Sequence, residues 1–104
     1  MNISELNKTG IEQLKIIKER ILEHSSILYE RQVTGIYFRP SRLMLEVFIL
    51  VDHTLSEKEA AFWYKFSFVI AKGLDEKTFK IGVGDPRLWE STSKRFGWKR
   101  LEIY

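Results

Sequence analysis

The side chains best suited to chemistry lie toward the C-terminal end: Arg87, Trp89, Lys94, Arg95, Phe96, Trp98, Lys99 and Arg100. Lysine and arginine neutralise phosphates and aromatic rings offer stacking faces, so a basic segment interleaved with tryptophan has the composition that single-stranded nucleic acid binding requires. Arg39 and Arg42, which bracket Pro40-Ser41, extend this candidate set. The same rings have a plainer use. Packed on a sheet, Trp89, Phe96 and Trp98 would be core, and the cations beside them an ordinary solvated rim. A third reading makes the segment a protein interface. Trp, Tyr and Arg are the types enriched at binding hot spots, and 14 aromatic residues exceed what one small core obviously needs.

The remaining polar groups carry less. Only His24 and His53 titrate near neutral pH without a shift. His53 follows Asp52 at the end of an apolar run. Neighbours in a strand point to opposite faces, which argues against Asp52 orienting His53. A catalytic His53 is therefore the weaker reading and a surface loop histidine the stronger. The positions one turn from His24 hold Arg20 and Leu28, so no helical metal pair exists there. With no cysteine, thiolate ligands and disulfides are excluded. No Ser or Thr sits in a Gly-flanked elbow. Glu46 interrupts an apolar run and is expected to face the rim or to pair with Arg31 or Arg39. The sequence offers no catalytic residue, no metal site and no cofactor site. Gly82-Val83-Gly84 lacks the third glycine of a dinucleotide fingerprint, because Arg87 occupies its place.

Charge is uneven along the chain. Its 17 basic and 14 acidic residues give a net charge of +3, but residues 1–76 sum to −1 and residues 77–104 to +4. The N-terminal MNISELNKTGIEQLK has no apolar core, and Glu46, Lys65 and Ser67 break the longest apolar runs. Neither a signal peptide nor a membrane span is expected. The lack of cysteine fits a reducing, cytoplasmic compartment.

The elements that must position these groups follow from periodicity. Ile11, Leu14, Ile17, Ile21, Leu22 and Leu28 recur at helical spacing opposite a charged face, which predicts a long N-terminal helix. Val33 to Phe38 reads as a strand that reverses at Pro40. Leu43 to Val51 is apolar on both faces and predicts a central strand. Ser56-Glu57-Lys58-Glu59 spells a capping box. Beyond it, Phe62, Tyr64, Phe66, Phe68 and Ile70 alternate, so one helical turn over 56–60 and then a strand is favoured over a continuous helix. In that strand Trp63 would face away from the core as a candidate functional residue. Thr78 to Val83 predicts a short strand. Asp85-Pro86 opens a short helix to Phe96, and Trp98 to Tyr104 closes the sheet.

With 104 residues, the chain is expected to form a single domain over 1–104. The expected fold is α+β: a long N-terminal helix packed on a four- to five-stranded, mainly antiparallel sheet, with a short helix near the C-terminus. The expected function is a small non-enzymatic protein-binding module, with a toxin-neutralising immunity protein or an accessory subunit fitting the profile. The alternative is nucleic-acid binding. Either would use Arg39, Arg42, Trp63, Lys94, Arg95, Trp98, Lys99 and Arg100, with another protein as the first partner and no membrane association.

Overall fold

A computed structural model describes residues 3–40, 44–74, 79–94 and 97–101, with side chains from Glu12 onward. The described residues form α1 (Ile3–Glu23), α2 (Ser25–Glu30), β1 (Val33–Pro40), β2 (Leu45–Val51), α3 (Glu57–Ala71), β3 (Phe79–Gly84), α4 (Pro86–Ser93) and β4 (Lys99–Arg100). The architecture is α+β around one mixed sheet of order β3-β2-β1-β4. β1 and β2 form an antiparallel hairpin with Ile36 opposite Ile49 and Phe38 opposite Val47. β4 is antiparallel to β1, whereas β3 runs parallel to β2. A mainly antiparallel sheet is thus corrected to a mixed one. Parallel neighbours cannot be joined by a tight turn, and the crossover between β2 and β3 is α3.

That crossover overturns the strand expected over 61–71. α3 is helical from Glu57 through Ala71, and its buried stripe is Trp63, Phe66 and Ile70 at i, i+3 and i+7. The capping box forms in full: Glu59 N–H donates to Ser56 Oγ at 3.2 Å, and Ser56 N–H donates to Glu59 Oε1 at 3.4 Å. Phe62 is half-buried beneath the Arg31 guanidinium, which lies 3.9 Å from its ring centroid. At the other end Arg20 Nη1 donates to Ile70 O at 2.5 Å, satisfying a carbonyl of the last turn from the neighbouring helix.

β2 is central, as its two-faced sequence predicts, and six of its seven residues are buried. On one face Val47, Ile49 and Val51 join Ile36, Ile17 and Ile21 of α1, and Trp63, Phe66 and Ile70 of α3 in the main core. The opposite face carries Tyr37, Phe48 and Gly82, aligned across β1, β2 and β3. α4 lies over this second face. Trp89 stacks on Tyr37 with centroids 4.2 Å apart and packs at 5.0 Å on Phe48. Its N-terminus is capped by Asp85, whose Oδ1 accepts from Leu88 N–H at 2.9 Å. That bond is the main cause holding the Asp85 carboxyl below its usual range.

Candidate functional site

The predicted site residues that the structure describes are not all at the surface. Trp63 is buried in the core on the α1/α3 side and is 3% exposed, so its expected outward position is corrected. The error follows from the helix, which turns position 63 inward. Arg42 and Arg95 fall outside the described residues. Lys94, Lys99 and Arg100 are exposed. Trp98 is half-buried: its Nε1–H donates to Thr92 O at 3.0 Å and its ring meets Trp89 edge-on at 5.3 Å. Arg39 Nε donates to Glu46 Oε2 at 2.8 Å. Of the two arginines expected to reach Glu46, it is Arg39 that does so.

Sequence reasoning missed an apolar groove between α3 and the edge strand β3. Tyr64, Phe68, Ala71, Leu74, Phe79 and Ile81 line it, and it encloses about 630 Å³. The α3 periodicity explains it. Residues 63, 66 and 70 take the core, which leaves Tyr64 and Phe68, one turn apart, 67% and 56% exposed with rings in edge contact at 5.0 Å. Val69 beside them is also exposed. Lys72 lines the groove, and Lys65 stands on the same stripe of α3 as Phe68. The outer edge of β3 has no strand partner among the described residues. The signal was present in the sequence as bulky residues surplus to any single helical stripe.

The C-terminal ends of the parallel strands carry a second polar constellation. His53 Nδ1 is 2.7 Å from Asp52 Oδ1 and His53 Nε2 is 2.5 Å from Glu59 Oε2. The expectation that Asp52 cannot orient His53 is corrected, because both residues lie beyond the end of β2, where strand alternation no longer applies. Two carboxylates hold the imidazole pKa above its ordinary value, chiefly through the Glu59 bond, and Glu59 is lowered in return. Thr54 Oγ1 donates to Asp85 Oδ2 at 3.1 Å and ties this corner to α4. Both ring nitrogens of His53 are engaged by carboxylates. Glu46 is six residues back along β2, about 20 Å at strand rise, and does not join them. The cluster cross-links loop and helix; among the described residues no group of three His, Cys, Asp or Glu side chains can hold a metal ion.

No helix among the described residues is long and apolar enough to cross a membrane. Comparison with known proteins returns no match to a family model, to a curated protein or to a solved structure.

Proposed function

We propose that this chain is a non-enzymatic protein-binding module, and that it docks an extended apolar segment of its partner along the groove between α3 and β3. The observation that carries the reading is the pair Tyr64 and Phe68, two large rings left in solvent beside a sheet edge that has no strand partner among the described residues. Edge strands accept an added strand through main-chain hydrogen bonds, with pockets for alternate side chains supplying specificity. Lys65 and Lys72 flank the rings, so acidic residues on either side of the partner's apolar segment complete the fit.

A photo-crosslinking residue in place of Phe68, with the same residue at exposed Tyr29 as control, tests the proposal in lysate of the source cell. A protein captured from position 68 and not from 29, and lost when Tyr64→Asp is added, supports it. Equal capture from both positions, or none from 68, overturns it.

Nucleic-acid binding is the second reading, supported by the exposed Lys94, Lys99 and Arg100. Trp89 and Trp98 are engaged with Tyr37, Phe48 and each other, so the two tryptophans are partly committed to packing within the fold. Binding of oligonucleotides that weakens with salt at a log-log slope of roughly one per phosphate contact, and that is lost in Lys99→Glu with Arg100→Glu, would favour it.

A further inference from the structure

We propose that the half-open pocket between α4 and the second face of the sheet is a binding site for a small planar aromatic carboxylate. Gly82 is the first argument. A glycine inside a strand weakens it and marks a place where something approaches the backbone closely. Gly82 has no left-handed φ, and a Cβ built there meets only Phe48, at an ordinary 3.5 Å. Neighbouring Gly84 is explained by Leu88, which sits where its Cβ would go. Among the described residues no close contact would bar a Cβ at Gly82, and Gly82 lines the pocket.

The walls supply the ligand's shape. Phe48 and Trp98 line the pocket with rings steeply inclined at 78°, and the bond from Trp98 Nε1 to Thr92 O fixes the indole in place. The enclosed volume is about 290 Å³. A cavity of about 150 Å³ accepts benzene, so a one- or two-ring compound with an acid group fits. Charge supplies the rest. Glu46 lines the pocket with Arg39 on its Oε2, whereas Lys80, opposite Glu46 on β3, has no carboxylate partner among the described residues. Among the described residues the site therefore presents the Lys80 cation, without an ion-pair partner, beside two aromatic walls, with the Ser91 and Thr92 side of α4 across the opening.

Amide-shift titration with benzoate and indole-3-carboxylate, each against its neutral carboxamide, tests the proposal. Saturable shifts are expected at Lys80, Gly82, Ser91 and Thr92 and at the Trp98 indole N–H, with at least one acid bound roughly tenfold tighter than its amide. Gly82→Val adds a side chain to the lining and abolishes binding. Lys80→Gln, an exposed change that leaves the fold intact, removes the preference for acid over amide. No saturable shift below about 10 mM, acid and amide binding alike, or a preference unchanged in Lys80→Gln overturns the proposal.

Discussion

His53 Nε2 and Glu59 Oε2 stand 2.5 Å apart, so the loop leaving β2 is fastened to the first turn of α3 by a charge-assisted bond. Asp52 holds the other nitrogen of the same ring. The linkage has a defined sign. His53 is raised in the folded state, so folding binds a proton and the contribution is whole below the ordinary histidine value near 6.5. It is lost as pH rises through the raised folded value. Glu59 is lowered, so its share is present above the ordinary glutamate value and disappears as pH falls through its folded value. Urea unfolding from pH 5 to 9 should show wild-type stability falling on the alkaline side of about 6.5, while His53→Gln is flatter over the same range. Parallel curves for the two proteins would remove the link.

Two helix starts carry side-chain caps. Ser56 caps α3 and Asp85 caps α4. Ser56→Ala should lower stability by about 1 kcal/mol, and Asp85→Ala should lower it as well. Asp85→Ala should cost more than Ser56→Ala, because it also releases Thr54. Thermal denaturation of both variants checks the order.

Arg39 and Glu46 face each other across β1 and β2, and Glu46 is only 9% exposed. Removing the cation alone takes one charged partner from a largely buried carboxylate. Arg39→Met should therefore destabilise by about 1 to 3 kcal/mol. Arg39→Met with Glu46→Leu should recover part of that loss, a coupling that a double-mutant cycle measures directly. If the double variant is weaker than the single by the full cost of Glu46→Leu, the two residues act independently.

The central β2 and the Asp85-Pro86 helix start were legible because each rests on a local rule, a two-faced apolar run and a cap. Pro40, expected to reverse the chain, is instead the last residue of β1 opposite Leu45, and the turn lies outside the described residues. α3 was not, because Phe62, Phe66 and Ile70 satisfy both a period of two and a helical stripe. Tyr64 and Phe68 then completed the alternation while belonging to the solvent side. Trp63 was the discriminating residue, since it joins Phe66 and Ile70 only in a helix. The groove and the pocket under α4 depend on which strands become neighbours. The parallel pairing of β2 with β3 places Gly82 beside Phe48, residues 34 positions apart in the chain.

Adjacent residues Trp63 and Tyr64 should respond oppositely to truncation. Trp63 is packed at 5.3 Å against Phe62 and 5.5 Å against Phe66, inside the cluster that joins α1, α3 and the sheet. Trp63→Ala should cost about 3 to 5 kcal/mol, a loss large enough to unfold a marginally stable domain. Its buried Nε1–H has no hydrogen-bond partner among the described residues. Trp63→Phe removes that donor while retaining a ring, and should cost clearly less than Trp63→Ala. Tyr64→Ala should change stability by no more than about 0.5 kcal/mol, because its ring lies in solvent. Chemical denaturation of the three variants separates the alternatives. A strand over 61–71, with Tyr64 inward and Trp63 outward, would reverse the ranking of the two alanine variants.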